Sequence, residues 1–337
     1  MILKPSEPNQ ILYNPDNIIF PVVSNAFGGT EFMVKNFKEK VLPHIPKIKK
    51  YNCMVLPGKQ IQSYDQTLYD DREIIIWMHN LQEQFGNPKN EEIARTINKM
   101  FTNLDFIKKI KYVIVVSEYA KLQLMQSSNI EESRIVVIHN AISPSKINNK
   151  KFLIDEKIKI IHTSAAERGF SVLANSLKYI DYDFRLDVFN DIYPDLDFMS
   201  KEFKEIYKDE RLFFHYKTPK KTVIDYLSQA HIFAYPCTYK ETFCLSQTEA
   251  ISAGCLPVYR NYASLPEVSI NSGVSYEIND DDPMSEDHAK LFASKLKYSI
   301  DLIKNKKFNP EEKSKEINEK FSWENFKKSW INLHEKL

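Results

Sequence analysis

Short apolar runs of strand length alternate with longer helical patterns through most of this 337-residue chain. In the first part, strands are predicted at Ile18–Val23, Tyr51–Leu56, Glu73–Met78, Tyr112–Val116 and Ile135–His139, and helices from Glu31, over Glu91–Lys109 and over Glu118–Ser127. Such alternation is typical of a parallel sheet that helices cover on both faces. The sequence therefore predicts an α/β fold.

The alternation is interrupted at Ser143–Lys157, a segment rich in Pro, Asn, Lys and Ser that we interpret as a linker. A second series of strands follows, at Ile158–Ile161, Arg185–Phe189, Leu212–His215, Ile232–Tyr235 and Leu256–Tyr259. We predict two Rossmann-like, doubly wound parallel-sheet domains, residues 1–150 and 151–318, that face each other across a cleft. Ligands of such sheets bind at the carboxyl ends of the strands. Residues 319–337 are predicted to form a helix that packs back toward the first domain.

Composition excludes several classes of protein. A formal net charge of +1 gives no broad basic field for nucleic acid. The apolar runs are far shorter than the ~20 residues of a membrane span, and the first residues do not read as a secretory signal. Four cysteines show no metal-ligand spacing, which favours a reduced, cytoplasmic protein. At most, peripheral membrane contact is expected.

Glu241 and Glu249 are the most informative pair of polar residues. They flank the start of a predicted helix, Leu245–Ala253, which follows the buried strand Ile232–Tyr235 and stops at Gly254. The first carboxylate lies on the strand-to-helix loop and the second about two turns into the helix. Two carboxylates so placed can each accept hydrogen bonds from a pair of sugar hydroxyls, and the helix N-terminus between them favours a phosphate. The spacing alone arises often by chance, but the strand, loop and helix around it strengthen the assignment.

Arg168 follows the first strand of the second domain, after a loop of small residues that begins at Ser164. A guanidinium at the start of a helix can bind a diphosphate in bidentate fashion. The alternative is an ordinary surface arginine.

The first domain offers a matching loop and a histidine. Gly28 and Gly29 would let the backbone approach a ligand closely ahead of a helix, although a simple tight turn is the alternative. His79 ends a strong apolar strand and would point into the cleft, unless it is a structural histidine. For His139 and Asn140, a structural role is favoured. Neither a dinucleotide-binding nor a P-loop glycine motif occurs, and no spacing suggests a metal site.

These motifs together resemble the family 4 retaining glycosyltransferases of the GT-B fold, also called group 1 glycosyltransferases. Glu241-Thr-Phe-Cys to Glu249-Ala resembles the family's Glu-x7-Glu signature, with Cys244 where most members have Gly. Ser164 to Phe170 resembles the Ser-Pro-Asp-Arg-Gly-Leu segment of one subgroup, and Phe321-Ser-Trp323 resembles the start of the last helix.

The resemblance implies a role for each residue of the site. Glu241 would bind hydroxyls of the donor sugar, Glu249 the ribose hydroxyls, and His79 would approach the sugar. The diphosphate would be bound by Arg168 and by the amides of Cys244 and Leu245. Gly28 and Gly29 would lie beside the donor phosphates and the acceptor, and Ser164 and Lys217 complete the predicted donor-binding set.

One departure from the family pattern concerns the diphosphate. Thr163 stands where many members carry an Arg, and Arg168 takes the position of their Lys. Either Arg168 and the helix dipole suffice, or another cation such as Lys217, Lys220 or Lys221 contributes.

The predicted function is sugar transfer from a nucleotide diphosphate sugar to a hydroxyl of a glycan, lipid-linked or small-molecule acceptor, with retention of anomeric configuration. No metal and no cofactor are expected, and nucleic acid is not expected as a partner. Two alternatives stay open: a nucleotide-sugar epimerase of the GT-B fold, and a non-catalytic protein that binds nucleotide sugars. The donor base, the donor sugar and the acceptor are not encoded in any motif.

Overall fold

The computed structural model describes residues 28–56, 71–81, 91–148, 157–190, 204, 206 and 208–337. They form two compact units. The first contains the described residues up to Val115 together with Leu124–Val136 and Ser329–Leu337. The second contains Val116–Gln123 and the described part of Val137–Lys328. The boundary predicted from the sequence at residues 150 and 151 stays a prediction.

The first unit is built on a sheet with the strand order β1-β2-β3-β4. The strands are β1 (Asn52–Leu56), β2 (Ile74–Met78), β3 (Ile110–Val115) and β4 (Ile135–Val137). β1, β2 and β3 are parallel, and all five residues of β2 are buried. Buried aliphatic runs of this kind suit a sheet with both faces covered. The predicted strand Ile18–Val23 lies outside the described residues.

Helices of the first part of the chain are α1 (Gly29–Lys40), α2 (Glu91–Thr102), α3 (Leu104–Lys109) and α4 (Glu118–Ser127), with 3₁₀ turns at Leu42–His44, Pro46–Lys50 and Glu132–Arg134. The sequence predicted one helix over Glu91–Lys109, which is wrong, because the helix is interrupted at Asn103. The Asn103 side chain accepts hydrogen bonds from the amides of Asp105 and Phe106 and so caps a new helix.

Aromatic side chains form part of the core of the first unit. Phe37 of α1, Trp77 of β2 and Trp330 are buried, and their ring centroids lie 4.7–5.4 Å apart. Trp330 belongs to the last helix, α11 (Trp323–Glu335), whose residues from Ser329 onward are part of the first unit. Tilted and edge-on aromatic contacts of this kind add to the hydrophobic stabilisation of a core.

The second unit contains a six-stranded parallel sheet with the order β10-β9-β8-β5-β6-β7. The strands are β5 (Ile158–Thr163), β6 (Phe184–Asn190), β7 (Leu212–Tyr216), β8 (Ile232–Tyr235), β9 (Leu256–Arg260) and β10 (Val274–Tyr276). The strand order changes direction between β5 and β8. Ligands of doubly wound sheets bind outside the carboxyl ends of the strands at such a switch point.

Helices of the second unit are α5 (Phe170–Ser176), α6 (Lys220–Gln229), α7 (Leu245–Ser252), α8 (Leu265–Val268), α9 (Glu286–Lys304) and α10 (Glu311–Lys320), with a 3₁₀ turn at Leu177–Tyr179. Of the predicted linker, residues 143–148 have no regular secondary structure and residues 149–156 lie outside the described residues. Among the described helices, none is long and apolar enough to cross a membrane.

Two glycines of the second unit adopt positive φ values where the chain turns. Gly254 (φ 79°) ends α7, and the amides of Gly254 and Cys255 bond back to the carbonyls of Ile251 and Ala250. This is the left-handed helix end that the sequence predicted. Gly169 (φ 105°) precedes α5, and a Cβ atom there would lie 2.2 Å from the carbonyl oxygen of Pro236. The loops after β5 and β8 therefore touch through a glycine.

Candidate functional site

The loops after β5 and β8 flank the switch point of the six-stranded sheet. The first runs from Ser164 to Gly169, and the second runs from Pro236 to Cys244, the residue before α7. Both loops follow strands that are almost fully buried, so their residues emerge at the edge of the sheet where ligands bind. The sequence placed Ser164, Arg168, Glu241 and Cys244 on these loops.

Arg168 and Glu241 form an ion pair between the two loops. Arg168 Nη1 donates a hydrogen bond of 2.9 Å to Glu241 Oε1. The carboxylate of Glu241 is buried, whereas the Arg168 side chain is one-third exposed (34%). The negative charge of Glu241 raises the pKa of Arg168 above its usual range, so the guanidinium stays charged. The guanidinium also lies over the ring of Tyr239, 4.7 Å from its centroid.

Tyr235 extends this pair into a hydrogen-bond chain. Its hydroxyl donates to Glu241 Oε1 at 2.7 Å and lies 3.2 Å from the hydroxyl of Ser164. Burial raises the pKa of Tyr235 well above its usual value, which keeps the hydroxyl protonated as a donor. Because Oε1 of Glu241 accepts hydrogen bonds from both Tyr235 and Arg168, the orientation of this carboxylate is fixed from two sides.

Glu249 lies on α7, whose N-terminus follows Cys244. The helix begins at Leu245, and the first N–H groups of an α-helix lack partners within the helix. With the positive end of the helix dipole, these groups can bind an anion. Burial raises the pKa of the Cys244 thiol well above its usual value, so the thiol adds no negative charge here.

The carboxylate of Glu249 is buried and forms a salt bridge through Oε2 with Lys220 Nζ. Lys220 is the first residue of α6, and its side chain is half-exposed. Lys217, which the sequence placed in the donor-binding set, is an exposed residue directly after β7 with φ 49°. Of the cations that the sequence offered, the structure therefore joins Lys220 to the candidate site by a direct contact.

The remaining predicted residues belong to the first unit. His79 follows β2, is buried, and its ring centroid lies 4.6 Å from that of Trp77. Burial lowers the pKa of His79 to about 3, so its imidazole is neutral at physiological pH. Gly28 and Gly29 are exposed at the start of α1, as the sequence predicted for a loop that enters a helix. Their proposed roles toward a donor stay predictions.

Glu267 has a role that the sequence did not indicate. Its two carboxylate oxygens accept hydrogen bonds from the amides of Glu118 (2.9 Å) and Tyr119 (3.2 Å) at the start of α4, and one of them lies 2.7 Å from Nε2 of His139. Burial opposes ionisation of Glu267, but these hydrogen bonds outweigh it and lower its pKa. The preference for a structural role of His139 agrees with this contact.

Sequence reasoning missed Tyr235 and Tyr239 as members of the site. Both could have been found from their positions: Tyr235 is a polar-tipped residue at the carboxyl end of a strand that is otherwise aliphatic or aromatic, and Tyr239 lies two residues before Glu241. Glu267 gave no such signal, because its partners lie 128 or more residues away in the sequence.

Among the residues that the structure describes, no three His, Cys, Asp or Glu side chains form a group that could hold a metal ion. The four cysteines are buried free thiols.

A model of one sequence family matches much of the second unit. Residues 145–308, slightly less than half of the chain, match the model of the family "Glycosyl transferases group 1". The match covers Arg168, Glu241, Glu249 and Lys220. No curated protein sequence matches the chain at a significant level.

Solved structures resemble the chain over most of its length. A glycosyltransferase from Rickettsia africae ESF-5 shares 19% identity and a TM-score of 0.62 over 93% of this chain and 83% of its own. A sucrose-phosphate synthase from Thermosynechococcus elongatus shares 14% identity and a TM-score of 0.63, over 81% and 70%. Anabaena HepE, solved in complex with UDP-glucose, shares 12% identity and a TM-score of 0.63, over 87% and 81%. At these identities the likeness establishes the fold: the chain has the GT-B fold, as predicted, and its residues 145–308 match the group 1 glycosyl transferases.

Proposed function

We propose that this protein is a retaining glycosyltransferase that moves a sugar from a nucleotide diphosphate sugar to an acceptor hydroxyl. The observation that carries the proposal is the pair of buried carboxylates, Glu241 and Glu249, on either side of the N-terminus of α7 at the switch point of the six-stranded sheet. The family match over residues 145–308 and the UDP-glucose complex of HepE support it.

In this proposal the two carboxylates bind the donor through its hydroxyls. Glu241, oriented by Arg168 and Tyr235, accepts hydrogen bonds from the sugar, and Glu249 accepts them from the ribose. Neither carboxylate transfers a proton. Each is buried, so a hydrogen bond to it is formed away from water and fixes the donor in one orientation.

The chemical demand of the reaction is the negative charge that develops on the leaving diphosphate. Donors that are already oriented before the reaction stabilise such charge without reorganisation. Arg168 and the backbone amides of Cys244 and Leu245, at the start of α7, are the groups that we assign to this task. We further propose that the transfer requires no metal ion and takes place in the cytoplasm. His79, Gly28 and Gly29 are proposed to help bind the donor and the acceptor.

The test is donor turnover with a panel of UDP-, GDP- and ADP-sugars. Wild-type protein is expected to hydrolyse one of them slowly without an acceptor, and Glu241→Gln is expected to release no sugar. The anomer first released is then identified by NMR, with retention expected. An epimerised nucleotide sugar would favour the epimerase instead, and binding without any turnover would favour a non-catalytic protein.

A further inference from the structure

The salt bridge between Lys220 and Glu249 is unequal in its exposure to solvent. The side chain of Glu249 is 4% exposed, whereas that of Lys220 is 49% exposed. A buried carboxylate that loses its cation is strongly destabilised. Lys220, in contrast, can leave the carboxylate and remain solvated, because its ammonium lies on a flexible four-carbon stem at the start of α6.

Both residues lie at the same edge of the six-stranded sheet. Lys220 follows β7 by a short turn, and Glu249 belongs to the helix that follows β8. Because these strands are parallel, the start of α6 and the start of α7 lie at the carboxyl edge, where Arg168 and Glu241 also lie. Lys220 is thus a cation of the candidate donor site itself.

A bound donor would offer this cation a second negatively charged partner. A ribose diol that donates two O–H groups to Glu249 competes with Lys220 for the carboxylate oxygens but brings no positive charge. The diphosphate adds negative charge beside the buried carboxylate, and Arg168 is already paired with Glu241. A second cation close to both anions reduces their repulsion.

We propose that Lys220 is a mobile counter-ion: it neutralises Glu249 in the empty site and moves to the phosphates when ribose hydroxyls occupy Glu249. This inference rests on the proposed function, since it assumes a nucleotide diphosphate donor. In this proposal Lys220 binds the phosphates of the ligand, and the nucleoside competes with Lys220 for the carboxylate of Glu249.

The experiment compares binding of UDP, GDP and ADP with binding of uridine, guanosine and adenosine by isothermal titration calorimetry. The variants are Lys220→Met and, as a matched control, Lys221→Met, which removes an exposed lysine from the same helix turn. Lys220→Met is expected to lower the affinity for the nucleoside diphosphate at least tenfold. Its affinity for the nucleoside is expected to stay unchanged or to increase. Lys221→Met is expected to change both affinities by less than twofold. Lys220→Arg is expected to restore most of the diphosphate affinity.

A measurement on wild-type protein covers the case that Lys220→Met does not fold. Salt weakens a half-exposed ion pair, so the affinity for the nucleoside is expected to stay constant or increase between 50 and 500 mM NaCl while that for the diphosphate decreases. The proposal of a mobile counter-ion would be overturned if Lys220→Met lowered the affinities for nucleoside and diphosphate equally. It would also be overturned if salt lowered both affinities of the wild type in parallel. Absence of binding to all six compounds by the wild type would instead remove the proposed function, and the inference with it.

Discussion

Arg168 and Glu241 join the loops that follow β5 and β8, with Nη1 and Oε1 2.9 Å apart. The sequence suggested a separate role for each residue, one toward the diphosphate and one toward the sugar. In the structure they also determine each other's position, because the guanidinium and the Tyr235 hydroxyl converge on one carboxylate oxygen. Substitution of either residue is therefore expected to change the contacts of both with the donor.

Replacement of Arg168 tests the proposed stabilisation of the leaving group. A hydrogen bond to a charged group contributes about 1.5–3 kcal/mol, so Arg168→Ala is expected to reduce turnover of the nucleotide sugar by at least about tenfold. Arg185→Ala is a matched control, because Arg185 is one-third exposed (33%) and paired with the buried Asp187, as Arg168 is with Glu241. The control is expected to lower the melting temperature without changing kcat in the folded protein. Unchanged turnover in folded Arg168→Ala would exclude Arg168 from the site.

Replacement of Tyr235 tests whether the orientation of Glu241 matters for activity. Tyr235→Phe removes the donor to Glu241 Oε1 and leaves the aromatic ring in the core. We expect kcat to fall by about 3-fold to 10-fold, less than for Arg168→Ala, since Arg168 is also proposed to stabilise the leaving diphosphate. The control is Tyr259→Phe, which also removes a buried hydroxyl, bonded to Ser269 at 2.8 Å. Equal kcat values for the two variants would show that the Tyr235 hydroxyl has no role in positioning.

Replacement of Gly169 tests the close contact between the two loops. A side chain at φ 105° is strained, and a Cβ atom would lie 2.2 Å from the Pro236 carbonyl oxygen. Gly169→Ala is expected to destabilise the protein by about 2 kcal/mol or more and to weaken donor binding, because Arg168 must move with the loop. Ser171→Ala, two residues further on in α5, serves as the control for urea unfolding and donor binding. A crystal structure of Gly169→Ala with both loops unmoved would contradict the argument.

The lowered pKa of Glu267 predicts that the free energy of unfolding depends on pH. Its pKa is lower in the folded protein than its ordinary value of 4.5. Its contribution is therefore fully present above pH 4.5 and is lost as the pH falls through the lower, folded pKa. Glu267→Gln is expected to reduce the free energy of unfolding by about 1–2 kcal/mol at pH 7, and the difference from wild type is expected to shrink toward pH 3.

The measurement is urea unfolding at several pH values between 7 and 3. The exposed Glu210 provides a control, and Glu210→Gln is expected to change stability little at any pH. A constant difference between wild type and Glu267→Gln over this range would mean that the carboxylate charge of Glu267 does not stabilise α4.

The sequence predicted the positions of strands and loops better than the contacts between side chains. The strand Ile232–Tyr235 and the helix Glu118–Ser127 agree with the structure residue for residue, because an apolar run between polar residues, or a helical pattern with its cap, is a local signal. The helix break at Asn103 was missed, since an Asn within a helical pattern becomes a cap only when its side chain turns back to the following amides. The edge strand β10, of three residues, is too short to give a periodic signal.

Within the candidate site, sequence reasoning found residues that follow strands but missed the partners that orient them. Arg168 and Glu241 were predicted because each follows a recognisable strand, whereas their ion pair depends on which strands are neighbours in the sheet. Lys220 was one of three candidate lysines, and only the turn from β7 into α6 brings it to Glu249. Glu267 and the start of α4 meet across 148 and 149 residues of sequence, a pairing that no local pattern encodes.

Trp330 contacts Phe37 and Trp77 in the core of the first unit but is synthesised long after them. The roughly 290 residues from Phe37 to Trp330 take about 15–60 s to translate at typical rates of synthesis. During that time the first unit lacks a side chain of its own core, so its apolar surface near Phe37 stays exposed while the second unit emerges from the ribosome. The first unit is thus expected to fold last, or to need a chaperone until α11 has left the ribosome.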